Sequence, residues 1–272
     1  MIRPGRFCGL MTAATLGSGT LVAQELPAPA ELNTICTDRP TKGSYACTVD
    51  SHHFQYEADL INASYSGFSA DHTDTWMVPN PTLKYGINTS MDLEANFVPW
   101  ERVEIHERGA DSRHTGIGDL LLRVKYRFLG ANDATLTASL IPYVKLPTAR
   151  SGIGDGALEE GLIVPINYKV SANVTLSASP ELDVVKNSAD NGRHVNTLQV
   201  VNVGVALNSK LIWYAEISGD WNLDRATTRQ CSADTAFAYL LTGLLQIDVG
   251  WNVGLNRKTP ALESYLGIAQ KF

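Results

Sequence analysis

The chain has 272 residues, of which 44% are hydrophobic and 18% charged, and a formal net charge of −6. Such a composition is ordinary for a folded protein of one large domain or two small ones. The acidic balance argues against a nucleic-acid partner, because phosphate binding needs a cationic face.

At the start, Arg3 and Arg6 precede an uncharged run of small and apolar residues, Phe7 to Ala23. A positive region, an apolar region and a small residue at the cut form the pattern of a bacterial secretory signal, so residues 1–23 are expected to direct export through the inner membrane. The run is too short, and too broken by Gly17, Ser18 and Gly19, for a membrane anchor. Residues 24–52 follow as a lead-in rich in turn formers. Cys36 and Cys47 lie close together there, in a compartment where oxidation is permitted, and a disulfide between them is expected. Asp38 and Arg39 in this segment are candidates for a plug folded into an interior lined with charge, or for a lead-in with no such task. Cys231 is left single and reads as an unpaired loop thiol.

From His53 the pattern is period two. Leu245, Ile247, Val249, Trp251, Val253 and Leu255 share one face, while Gln246, Asp248, Gly250, Asn252 and Gly254 share the other. The same split sets Leu120, Leu122, Val124, Tyr126 and Phe128 against Asp119, Arg123, Lys125 and Arg127. Twelve strands are predicted near 53–61, 80–87, 91–100, 118–128, 134–146, 158–169, 173–185, 194–207, 211–221, 234–242, 244–255 and 262–272. Short turns such as Asn88-Thr89 and Thr242-Gly243 alternate with long loops, among them Asn62 to Pro79 and Glu101 to Ile117.

An even strand count, with short turns at one rim and long loops at the other, describes an all-β fold: a closed antiparallel transmembrane β-barrel at 53–272 behind a short non-barrel segment. A soluble β-sandwich would also alternate. Strands of about 10 residues favour the membrane reading, since soluble strands run nearer 5 or 6. Aromatics near strand ends (Phe54, Trp100, Phe128, Tyr168, Trp221) suit girdles at the two interfaces. No stretch of about 18 apolar residues offers a transmembrane helix.

The polar faces supply candidate lumen-lining charges: Glu57, Asp59, Asp92, Glu94, Arg123, Lys125, Arg127, Lys145, Glu181, Asp183, Glu216 and Asp248. These either line a permeation path or hold the interior together as ion pairs. The chain stops on Phe272 in mid-strand, which resembles the C-terminal signal by which outer-membrane barrels are recognised for assembly.

The run TGIGDLLLRVKYRFLG, Thr115 to Gly130, followed by ASLIPYVKLPTARSGIGDGALEEGLIVPI, Ala138 to Ile166, resembles the family labelled "putative MetA-pathway of phenol degradation", a group of bacterial outer-membrane barrels. CTDRPTKG, Cys36 to Gly43, and HFQYEADL, His53 to Leu60, resemble that family's opening. One departure is Ala149 after Leu146-Pro147-Thr148, where members often show Gly. The resemblance implies a channel or transporter for passive uptake of small molecules, with a link to aromatic or other hydrophobic compounds, by diffusion through the lumen or escape through the wall.

The expected partners are outer-membrane lipids, the barrel-assembly machinery and a small solute. No cofactor and no metal are expected; His52-His53 lacks further ligands nearby. Competing readings are a lipid-modifying barrel enzyme, with His106, Ser112 and His114 in a charged loop that no strand fixes, and a structural or adhesive barrel. The repeated Gly116-Ile117-Gly118-Asp119 and Gly152-Ile153-Gly154-Asp155 precede strands, not helices, which argues against a nucleotide loop. They read as relief of crowding where loops enter strands, with a cation site on Asp119 and Asp155 as a minor alternative.

Overall fold

The computed structural model describes residues 32–67, 71–187, 191–222 and 229–272. The expected export signal lies outside the described residues. Every regular element among the described residues is a strand. In chain order they are β1 (Phe54–Gly67), β2 (His72–Met77), β3 (Asn80–Asn88), β4 (Met91–Asn96), β5 (Glu101–Glu107), β6 (Ala110–Gly116), β7 (Leu120–Leu129) and β8 (Leu136–Leu146). They continue as β9 (Glu159–Ile163), β10 (Ile166–Lys169), β11 (Val174–Lys186), β12 (Arg193–Ala206), β13 (Leu211–Asn222), β14 (Gln230–Thr242), β15 (Leu245–Gly254) and β16 (Leu262–Lys271).

These sixteen strands make twelve staves, because four pairs are single staves with a break: β2 with β3, β4 with β5, β6 with β7, and β9 with β10. The breaks fall at Pro79, Pro99, Gly118 and Pro165. Proline cannot donate to a ladder and glycine packs no side chain, so interruption there is expected. Single backbone bonds carry the ladder across, as from Val78 N to Trp100 O (2.9 Å) and from Val164 N to Pro180 O (2.9 Å). All pairings are antiparallel, and β1 pairs with β16 from Gln55 opposite Lys271 to Tyr65 opposite Leu262. The sheet is therefore closed, which removes its edges.

Alternation sorts the side chains into two environments. Inward positions are polar: Gln55, Glu57, Asp59, Lys84, Asp92, Glu94 and Lys125 are all buried. Outward positions are apolar and exposed; Ile217 is 62% exposed, Val201 59% and Leu182 57%. A sandwich buries its apolar face, so this inversion settles the choice between the two β folds in favour of the outer-membrane barrel.

The two longest expected loops are corrected. Much of 62–79 and 101–117 is strand: β1 runs on to Gly67, β2 pairs with it, and β5 and β6 form a further hairpin on β2. β2 and β6 carry polar residues on both faces, and β5 sets only Val103 and Ile105 against Arg102, Glu104 and His106, so these segments lack the long apolar alternation that marks a membrane strand. They rise as a flap at the long-loop rim. Along β6 the second edge is met by the 147–157 loop, where Arg150 N donates to Ile117 O (3.0 Å) and Arg150 Nη1 to Thr115 O (2.9 Å).

The ladder also places Cys231 on β14, opposite Gly219, and not in a loop. Phe272 N donates to Phe54 O (2.8 Å), so the last residue extends the closing seam.

An arginine on the outer wall near mid-height should be costly. Ile217→Arg is expected to destabilise the barrel by about 2–4 kcal/mol in lipid-vesicle unfolding titrations.

Candidate functional site

Residues 32–53 lie inside the short-turn half of the barrel, and their polarity explains why they stay there. The disulfide Cys36–Cys47 closes the segment on itself. At its tip, Asp38 accepts from Lys84 Nζ (2.5 Å) and from Lys125 Nζ (3.0 Å), while its own backbone N–H donates to Glu57 Oε2 (3.1 Å). Within the segment, Tyr45 N donates to Asp38 Oδ1 (2.6 Å). Arg39 reaches across the lumen, with Nη1 2.5 Å from Asp59 and Nη2 2.6 Å from Asp248. Its guanidinium lies 5.6 Å from the centre of the Tyr265 ring, whose hydroxyl donates to Pro40 O (2.5 Å). A planar fork between two carboxylates is geometry that arginine satisfies and lysine does not.

Other walls hold the rest of the segment. Lys42 N donates to Glu216 (3.0 Å) and Lys42 Nζ to Ser232 (2.8 Å). Tyr45 Oη donates to Asn202 (3.0 Å), Ala46 N to Asn167 (2.7 Å) and Val49 N to Asp92 (3.0 Å). At the rim, Lys271 Nζ bonds Asp50 (2.8 Å). Two glycines make room. A Cβ on Gly267 would fall 1.8 Å from Arg39 Nη2, and one on Gly86 would fall 2.1 Å from Asp50 O.

The electrostatics follow from these neighbours. Burial pushes the Asp38 carboxyl upward, but Lys125 and Lys84 outweigh it and hold the group well below the ordinary value. Burial works against the Arg39 cation, and Asp59 and Asp248 outweigh it. Opposite charge at contact distance is what allows such groups to remain ionised away from water.

The lumenal candidates separate into regions. Glu57, Asp59, Glu94, Lys125, Glu216 and Asp248 surround the segment's tip and its flank, and Asp92 sits beside them under Val49. Arg123 meets Glu94 at 3.6 Å, and Arg127 caps the backbone oxygens of Thr89 and Gly130 at the short-turn rim. Higher up, Tyr143 Oη bonds Asp183 (2.5 Å) and Glu181 (3.1 Å). The sequence reading missed Lys84, Lys42, Tyr45, Tyr265 and Asp234, which lies 3.6 Å from Lys42 Nζ. Lys84 alternates with Thr82 on the polar face of β3, a signal that could have found it.

Lys145 lies 3.5 Å from Asp119, 3.1 Å from Asp155 and 2.7 Å from Glu159. Its ammonium occupies the place that a cation bound by Asp119 and Asp155 would take.

The loop thought to carry Ser112 and the histidines is corrected to the β5–β6 hairpin. There Ser112 pairs with Ile105 while His106 pairs with Asp111, which puts Ser112 and His106 on opposite faces; His114, opposite Val103, shares the face of Ser112. A Ser-His nucleophile pair needs both side chains within hydrogen-bond reach.

Above the segment a charged cavity of about 350 Å³ opens between Arg123, Tyr143, Lys145 and Glu181. Below it, a second of about 530 Å³ opens between Asp50, Arg127, Asn132 and Lys169.

The family described as "Putative MetA-pathway of phenol degradation" matches residues 37–272. The chain belongs to this family. Among solved structures, an outer membrane channel from Pseudomonas putida F1 is similar at 14% identity and a TM-score of 0.67, over 86% of this chain and 100% of that one. The translocator domain of autotransporter NalP from Neisseria meningitidis is similar at 12% identity and a TM-score of 0.50, over 82% of this chain and 90% of that one. At such identities the likeness speaks for the barrel fold. No curated protein matches the chain.

The Asp38 lock has a definite pH window. Its docked carboxyl titrates below the ordinary value of 3.8, so its contribution is complete above that value and is lost as pH falls through the docked one. Hydrogen-exchange protection of the Ala46 amide, corrected for intrinsic rate, should fall as the pH is lowered below 3.8, and the fall should be smaller in Asp38→Asn, which has no carboxyl to protonate.

Proposed function

We propose that this family member is an outer-membrane channel for passive uptake of small molecules, held closed by its own N-terminal segment. The observation that carries this reading is the docking itself. The segment's contacts with the wall are mainly hydrogen bonds and ion pairs, beside one apolar contact of Tyr45 with Tyr214, Ala236 and Ala238, with a polar cavity on either side. Such contacts can be exchanged for water or for a polar solute far more readily than an apolar core can. By the usual orientation of these barrels, the short turns face the periplasm and the flap faces outward. The interior charges then serve mainly as ion pairs that seat the plug, and the upper group around Arg123, Lys145, Glu181 and Asp183 lines the outer entrance.

The solute class is taken from the family description, which points to small aromatic compounds. The opposed faces of Ser112 and His106 remove that pair from a hydrolase reading, and Ser112 with His114, which share a face, is the pair that the bilayer and hydrolysis test below addresses. Export is assigned to residues 1–23, and recognition for assembly to Phe272.

Planar-bilayer recording tests the channel. The wild-type chain should show small or rare openings. Gly267→Leu, whose side chain would push the Arg39 guanidinium off Asp59 and Asp248, should raise mean conductance several-fold, and Arg39→Ala should do the same. Silent bilayers for all three, together with phospholipid hydrolysis, would replace the channel with an enzyme. For assembly, deletion of Phe272 should lower the outer-membrane level of the protein on fractionated blots; an unchanged level would remove that role.

A further inference from the structure

The flap carries a second cluster of chemistry, unrelated to the lumen. His72 on β2 stands directly opposite His106 on β5, and their rings stack with centroids 4.4 Å apart and planes 21° apart. Strand alternation puts Asp74 on the same face as His72. Asp74 Oδ2 lies 3.7 Å from His72 Nε2 and 3.9 Å from His106 Nε2. One donor atom from each of the three lies within 4.8 Å of the other two. All three side chains are partly exposed, so an ion can reach them from solvent.

The face they share is the outer one. Asp74 pairs with Tyr65, and Tyr65 alternates with the inward Asn62 and Ser64 on β1. The cluster therefore points away from the lumen, and it stands on the part of the flap beyond the closed belt of strands.

Two imidazoles and one carboxylate are a donor set for a borderline divalent ion. A tetrahedral zinc ion with bonds of about 2.0–2.1 Å holds its donors roughly 3.3 Å apart. The imidazole–carboxylate distances therefore need to shorten by roughly half an ångström, within the reach of ordinary side-chain rotation. A second carboxylate stands behind the cluster: Asp111, across the β5–β6 pair, places Oδ1 3.4 Å from His106 Nδ1. That is where a carboxylate orients a metal-bound imidazole, holding Nδ1 as the donor and turning Nε2 toward the metal.

We propose that His72, Asp74 and His106 form an external site for a divalent ion of the zinc, copper or nickel class, with water completing the shell and Asp111 orienting His106. Bound there, the ion fastens β2 to β5 across the flap.

The test uses the full chain, refolded in detergent and checked by its heat-modifiable gel shift. Zinc titrated by calorimetry should bind at one ion per chain. His106→Gln and Asp74→Asn should each weaken binding at least tenfold, Asp111→Asn by about tenfold, and His114→Gln, on the other face of the hairpin, not at all. Copper provides a second readout. It should quench Trp fluorescence by a component that is lost in Trp76→Phe and in His72→Gln, because Trp76 follows Asp74 on the same face. Absence of zinc uptake by the native chain, or an affinity unchanged in folded His106→Gln, overturns the site. Loss of channel activity in any variant bears on the pore and leaves this measurement independent.

Discussion

A closed barrel in lipid has one place for its polar side chains, and charge confined there must find opposite charge. That constraint organises the molecule. Twelve staves turn their apolar side chains to the hydrocarbon and leave an interior rich in carboxylates. Wall cations on β3 and β7 neutralise part of this set, and Arg39 on the docked segment neutralises another part from within the lumen. The N-terminal segment is thus a component of the interior's charge balance. Removing one member of such a buried set leaves its partners uncompensated, which in comparable buried pairs costs about 3–5 kcal/mol.

The segment's neighbouring Asp38 and Arg39 carry opposite charges and engage opposite partners: Asp38 the lysines, Arg39 the aspartates. Reversing or shifting the segment by one residue would set like charges together. Register along the lumen is therefore specified by electrostatics, while Gly267 and Gly86 supply the space. The disulfide narrows the conformations open to the free segment, which lowers the entropy lost on docking.

Much of the barrel was legible in the sequence, because period-two alternation in β7, β11, β15 and β16 survives any uncertainty about pairing. The sense of that alternation was less so: Leu182 and Ile217 would look the same in a sandwich, and only their exposure in the closed sheet shows which side is out. The flap was misread because HTDTWM and ADSRHTG carry polar residues on both faces and ERVEIHE offers only Val103 and Ile105 as an apolar pair, as strands above a membrane are free to do. Of the candidate site, individual charges could be named but not their partners. Arg39 and Asp248 are far apart in the chain and meet only through closure of the sheet. His72 and His106 likewise become neighbours only once the β2–β5 register is known.

The four interruptions have a mechanical consequence. All fall on the N-terminal side of β11, while β11 to β16 run as six unbroken strands joined to their sequence neighbours. Contacts between consecutive strands are short in sequence and quick to form. The C-terminal half is thus a stiff template that can be completed early, and the interrupted half is a compliant sector laid against it. The seam between β1 and β16 joins opposite ends of the chain and is the pairing of greatest sequence separation. A cylinder built this way is anisotropic, and elastic strain from the bilayer or from a departing plug will collect in the sector with the fewest ladder bonds.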